Sequence, residues 1–112
     1  MIIQVFGKKG CTDTRKAERF FKERKIKIQF VDMKKKGISR GERKNLLDKY
    51  ELEDLLDTEG KEYKRRNLQY MHYDLEELLE ESPELYKTPI VRCGGKSTLG
   101  YKPDEWSEWL KK

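Results

Sequence analysis

The sequence predicts an α/β domain that runs strand–helix–strand, then a helical middle, then strand–strand–helix. Three observations predict it. A short apolar run, Ile2–Phe6, leads through Gly7-Lys8-Lys9-Gly10 into a helix-like pattern. A second apolar run, Pro89–Cys93, turns at Gly94-Gly95 into Lys96–Leu99. Between them lie leucine stripes at helical spacing, two of them preceded by capping residues.

Each element has a local reason. Ile2–Phe6 is short, apolar and β-rich, so it reads as a strand. Thr12 to about Arg24 reads as a helix, because Ala17, Phe20 and Phe21 recur at i, i+3 and i+4. Lys27–Val31 reads as a second strand, and the alternation Ile26, Ile28, Phe30 predicts one buried face. A strand, a helix of this length and a strand make a parallel βαβ unit with a right-handed crossover. In the middle, Ser39 with Glu42 fits a capping box, and Leu46, Leu47 and Tyr50 then share a face. Leu52, Leu55 and Leu56 make a shorter stripe. Asp57–Tyr73 is polar and poorly periodic, and is expected to be loop with one helical turn. Asp74 can cap a helix carrying Leu75, Leu78 and Leu79, and Ser82-Pro83 marks its end or a further turn. Gly94-Gly95 predicts a tight hairpin. Pro103 suits the first turn of a last helix, with Asp104 and Glu105 beside it and Trp106, Trp109 and Leu110 as its apolar stripe. The order is that of a thioredoxin-like domain, here one domain over 1–112 with helices inserted at about 38–86.

Composition narrows the class. The 112 residues fit one domain, and a charged fraction of 42% against 35% hydrophobic leaves a small core under a charged surface. No apolar stretch approaches a membrane span and no signal-peptide pattern opens the chain. Two cysteines without an export signal predict a reducing, cytoplasmic setting. One histidine, and no Cys/His grouping at ligand spacing, argue against a metal site; His72 reads as a surface residue. The net charge of +5 is uneven: residues 1–50 hold 16 Lys and Arg against 6 Asp and Glu, and residues 51–112 hold 10 against 15. The basic half is expected to attract phosphate, glutathione, other oxyanions or nucleic acid. Direct nucleic-acid binding is disfavoured, because no binding motif is present and few aromatics interleave the basic run. Lys34-Lys35-Lys36 reads as a solvated loop.

Cys11 carries the chemistry. It stands at the strand-to-helix turn, where helix N–H groups and the cluster Lys8, Lys9, Arg15 and Lys16 favour thiolate over thiol. Asp13 opposes them. The bland alternative is a small buried hydrophobe. Three residues on stands Thr14 rather than a second cysteine, so a redox cycle needs its partner thiol from elsewhere. Cys93 is a poor candidate: it lies four residues past Pro89, about 13 Å along a strand, whereas a disulfide needs Cα atoms within about 7 Å.

Four stretches together resemble the ArsC/Spx family, which comprises arsenate reductases dependent on glutathione or glutaredoxin and their regulatory relatives. They are the strand leading into Cys11-Thr12-Asp13-Thr14-Arg15-Lys16-Ala17, the strand ending Val31-Asp32, Thr88-Pro89-Ile90-Val91, and Leu99-Gly100-Tyr101-Lys102-Pro103-Asp104-Glu105. The resemblance implies a four-stranded mixed sheet with Cys11 at the first strand–helix turn. It also implies a cis peptide between Thr88 and Pro89, close to Cys11. Read from the residues alone, Pro89 also fits a plain strand-opening proline. The family's oxyanion-binding arginines fall at positions that hold Thr88, Lys102 and Asp57 or its neighbours. Arg15, Arg65, Arg66 and Arg92 are the arginines left to compensate. Lysine does not replace the bidentate fork of arginine, so arsenate is disfavoured as substrate.

Two functions follow as expectations. In the first, the chain is an arsenate reductase-like thiol oxidoreductase with no bound cofactor. Cys11 attacks an oxidised thiol, glutathione disulfide or an oxyanion, and glutathione, glutaredoxin or another external thiol releases it. Lys8, Lys9 and Arg15 would lower the thiol pKa and attract the anion, Thr12 and Thr14 would hydrogen-bond the thiolate, and Lys102 would be a further anion contact. In the second, the chain is an Spx-like regulator whose charged surface docks on a transcription partner such as RNA polymerase, with Cys11 vestigial or a sensor.

Overall fold

In the computed structural model, which describes residues 2–111, β1 (Ile3–Gly7) runs into α1 (Thr12–Glu23) and returns as β2 (Ile28–Asp32). The chain closes with β3 (Ile90–Cys93), β4 (Lys96–Leu99) and α5 (Pro103–Trp109). The sheet order is β2-β1-β3-β4. β1 and β2 are parallel, from Ile3↔Ile28 to Gly7↔Asp32, as the helical crossover between them requires. β1 and β3 are antiparallel, with Phe6↔Ile90 at one end and Ile3↔Cys93 at the other. β3 and β4 form the hairpin across Gly94, whose φ of 60° is in the region that favours glycine.

The central strands β1 and β3 are covered on both faces, because successive side chains alternate between them. Ile3, Val5 and Val91 meet Ala17, Phe20 and Phe21 of α1 and Trp106 of α5. Both phenylalanine rings stand just over 5 Å from the Trp106 ring. Phe6, Ile90 and Leu99 face the other way, against the helices that lie between β2 and β3. These are α2 (Arg40–Leu47), α3 (Lys61–Arg65) and α4 (Leu75–Glu81), with 3-10 turns at Leu52–Leu55, Leu68–Tyr70 and Pro83–Leu85. Ser39 and Glu42 form the expected capping box, and the Asp74 carboxylate accepts from the Glu77 N–H at 3.1 Å. Buried Arg43 reaches Glu80 at 2.8 Å and Glu76 at 3.3 Å, tying α2 to α4.

Three local readings differ from the structure, and one core residue carried no signal. β1 and β2 each sit one residue later than the apolar runs suggest, because backbone pairing continues through Gly7 and Asp32. β2 is an edge strand, so the face expected to be buried is only partly covered: Ile28 packs against the α1 side, but Phe30 remains 42% exposed. Asp57–Tyr73 holds two short helical turns rather than one, and they place Leu68 in the core. Met33, just past β2, is fully buried although no periodicity marks it.

Trp106 joins α1, α5 and the sheet, and its indole N–H donates to Thr98 Oγ1 at 2.8 Å. Replacing it with alanine removes the shared aromatic contact. Trp106→Ala is expected to lower stability by about 3–5 kcal/mol in urea denaturation.

Candidate functional site

The end of β1 delivers the chain to Lys8-Lys9-Gly10-Cys11, a turn closed by the Cys11 N–H donating to the Lys8 carbonyl at 3.1 Å. Gly10 supports it with φ +88°, a conformation that glycine adopts without a Cβ penalty. Cys11 is the N-cap of α1. Its sulfur therefore lies where the first helical N–H groups lack backbone partners.

The antiparallel pairing of β1 with β3 brings the residues before Ile90 to the same end of the sheet. The peptide between Thr88 and Pro89 is cis, as the resemblance implied. Thr88 is buried, and its Oγ1 donates to Cys11 Sγ at 3.1 Å. The thiol in turn lies 3.7 Å from the Thr88 carbonyl. Thr14, one helical turn into α1, is also buried, and its hydroxyl has no partner at ordinary hydrogen-bond geometry. The nearby Cys11 sulfur is the acceptor left to it.

These contacts compete with desolvation. Burial pushes the Cys11 thiol up, and it is the largest single influence. Donors from the Thr14 and Thr88 hydroxyls, and from the Thr14 and Asp13 backbone N–H groups, together outweigh it, so the thiol titrates below its ordinary value. The cations expected to do this are not among these influences. Lys8 turns its ammonium to the Asp57 carboxylate at 3.2 Å and the Glu84 carbonyl at 3.0 Å. Lys9, Thr12, Arg15 and Lys102 are exposed, and among the described residues none hydrogen-bonds the sulfur. A flexible side chain in water loses more entropy on being fixed than a screened contact returns, which is why they stay in solvent.

Of the arginines available to compensate, Arg15 faces solvent and the other three are held elsewhere. Arg65 pairs with Glu62 at 2.7 Å. Arg66 bonds Glu62, Ser82 and Glu84, each at 2.8 Å. Arg92 reaches Glu42 and Gln4, both at 3.2 Å. Cys93 is a free thiol that packs beside Val91 on the α1 face. It pairs with Ile3, at the end of the ladder away from Thr88. His72 is exposed.

Two features escaped the sequence reading. One is the Lys8–Asp57 pair, which joins residues 49 positions apart and carries no local signal. The other is Gly7. A Cβ there would collide with the Thr14 side chain and stand 3.1 Å from the Phe30 ring. Gly7 thus lets α1 approach the sheet closely enough to set Thr14 beside the sulfur. A glycine ending an apolar run was the available clue.

Residues 6–109 match the model of the ArsC family. The chain belongs to the ArsC family. Among its relatives, the protein YusI of Bacillus subtilis is 30% identical, the match covering 96% of this chain and 98% of that protein. The global transcriptional regulator Spx 2 of Oceanobacillus iheyensis is 27% identical over 98% of this chain and 84% of its own length. A solved structure of the YffB protein superposes with a TM-score of 0.79 at 26% identity, covering 97% of this chain and 99% of that one. The thioredoxin-like mixed sheet expected of an ArsC-family chain is the one observed.

Two measurements check the account of the thiol. Thr88→Val keeps the side-chain shape and removes the donor. It is expected to raise the Cys11 pKa, because the thiolate loses a hydrogen-bond donor while its burial is unchanged. The pH dependence of iodoacetamide alkylation reads this shift. The lowered pKa also links to stability. The folded state binds the thiol proton less tightly than the unfolded state does, so this contribution grows as pH rises through the folded pKa. It is complete above the unfolded value of 9.0 and lost on acidification. The wild type should therefore gain stability relative to Cys11→Ser between neutral pH and about pH 9, measured by urea denaturation at fixed ionic strength.

Proposed function

We propose that this ArsC-family chain is a single-cysteine thiol–disulfide oxidoreductase that works with an external thiol such as glutathione. The observation that carries the reading is the Thr88 hydroxyl donating to Cys11 Sγ at 3.1 Å, at a helix N-cap where the thiol titrates low. In the first step the Cys11 thiolate attacks the glutathione sulfur of a mixed disulfide between glutathione and a substrate thiol. A new S–S bond forms to Cys11, the old S–S bond breaks, and the substrate leaves as thiolate; the second step returns glutathione disulfide, so the substrate is reduced at the expense of glutathione. In the second step another glutathione thiolate attacks the glutathione sulfur of the mixed disulfide and displaces Cys11 as thiolate. The Thr88 and Thr14 hydroxyls stabilise the anion at the start of the first step and the end of the second.

Two features support an external resolving thiol. Residue 14 is threonine, and Cys93 sits at the far end of the β1–β3 ladder. Arsenate fits less well. By the resemblance, the family's arginine positions hold Thr88, Lys102 and Asp57 or its neighbours, and residues 57, 88 and 102 are not arginine. A fork of guanidinium donors is what a tetrahedral oxyanion needs.

A regulatory role is the second reading, favoured by the relatives named as global transcriptional regulators, such as the Streptococcus pneumoniae protein at 25% identity over 97% of this chain. RNA polymerase is the partner to test in a pull-down. Cys11→Ser separates the two readings, because it abolishes thiol exchange and leaves a docking surface intact.

Treatment with glutathione disulfide, read by mass spectrometry, tests the first. Wild type and Cys93→Ser should each gain one glutathione at Cys11, removable by reduced glutathione, and Cys11→Ser should gain none there. Failure of the wild type to form the adduct would sink the oxidoreductase reading.

A further inference from the structure

Lys8 occupies the first position of the turn whose fourth residue is the nucleophile, yet its charge is spent on another element. Its Nζ lies 3.2 Å from Asp57 Oδ2 and 3.0 Å from the Glu84 carbonyl, and both members of the pair are about one-fifth exposed. Asp57 is itself fixed. Its N–H donates to the Leu85 carbonyl at 2.9 Å, and its Oδ1 accepts from the Glu59 N–H at 3.3 Å. Its carboxylate lies so close over Gly60 that a Cβ there would come within 2.6 Å of Oδ2. Glu84, whose carbonyl completes the cradle, is anchored through its carboxylate by Arg66 at 2.8 Å. The turn of the nucleophile thus carries a lysine that is already neutralised by a rigid acceptor set.

From this we infer that Asp57 is a specificity-determining residue for Cys11: by holding Lys8 it denies anions a cation beside the thiolate and reserves the site for sulfur electrophiles that are uncharged at the reacting atom. The inference rests on the proposed thiol chemistry and narrows its substrate class to disulfides and sulfenic acids. An oxyanion, or any electrophile with a negative charge next to its reacting atom, meets the thiolate and a paired lysine. A disulfide sulfur carries no charge and loses nothing. Charge pairing of this kind matters more here than at an open surface, because partial burial weakens solvent screening.

The test compares two alkylating agents on Cys11 in the full chain, with Cys93→Ser as the common background. Iodoacetamide is neutral and iodoacetate is anionic, so the ratio of their rates reads the local charge. Asp57→Asn frees Lys8 and is expected to raise the iodoacetate-to-iodoacetamide ratio by about fivefold, the size of one partly screened charge interaction. Asp57→Glu keeps the charge and should leave the ratio at its starting value. Lys8→Met alone leaves the Asp57 carboxylate unpaired and should lower the ratio by a similar factor, and in the Asp57→Asn background it should cancel the rise. An unchanged ratio in Asp57→Asn overturns the inference. So does an unchanged ratio in Lys8→Met alone, which also serves if the Asp57 variant does not fold. The iodoacetamide rate by itself reports whether Cys11 is an active thiolate, so failure of the thiol chemistry registers separately from failure of the charge selection.

Discussion

The register between β1 and β3 is the constraint on which the rest depends. Cys11 and Thr88 are 77 residues apart, and nothing local brings them together. Pairing Phe6 with Ile90 places the turn after β1 and the loop before β3 at one end of the sheet. A slip of one residue would exchange the faces of every β3 side chain. Ile90 would leave the insertion side and Val91 would leave the α1 side, so both packed layers would be lost together. The hydrophobic pattern that fixes the fold therefore also fixes the 3.1 Å contact at the sulfur. Stability and chemistry share one determinant, and the site needs no separate device to hold its two halves in place.

The thiol is activated by neutral donors at short range. Desolvation is the largest influence and acts against the thiolate, so any net lowering must come from several partners acting at once. Two buried hydroxyls and two helix N–H groups suffice. Such donors are preorganised by the fold: Thr14 by the close approach over Gly7, and Thr88 by the start of β3. A lysine on a flexible stem would bring more charge at greater entropic cost and with more screening. This separates the thiol's reactivity from the surface charge of the basic half.

Much of this was legible in the sequence. The apolar runs at Ile2–Phe6 and Pro89–Cys93, the Ser39–Glu42 capping box and the Trp106 stripe each have a short-range period or cap, and each formed where expected to within a residue or two. Cys11 and the Thr88–Pro89 peptide could be paired only through resemblance, since their proximity is a property of the sheet order. The destination of charged side chains was not legible. Lys8, Lys9 and Arg15 look alike as neighbours of a cysteine, but one is tied to Asp57 and the others face solvent. Phe30 failed for a related reason: alternation gives the face of a strand but not whether a neighbour covers it, and β2 lies at the edge.

The helices between β2 and β3 then acquire a role beyond filling a core. They cover one face of the sheet, and the same insertion supplies Asp57, in the loop before α3, and Glu84, in the last 3-10 turn, the groups that hold Lys8. Behind these stand Arg66 and Glu62. The Arg65 and Arg66 guanidiniums hold the Glu62 carboxyl down to about 2, so that anchor stays charged across the whole working range of pH. A chain of contacts thus runs from Glu62 through Arg66 and the Glu84 carboxylate to the Glu84 carbonyl, which with Asp57 holds Lys8 at the Cys11 turn. In a protein with 26 lysines and arginines, the electrostatics at one sulfur follow from which cations are paired and with what, not from how many are present. The insertion is the part of the fold that decides this. On the proposed chemistry, a small scaffold with a fixed thiol changes the electrophile it accepts when the inserted segment is altered and the sheet, the cysteine and the proline loop are left as they are.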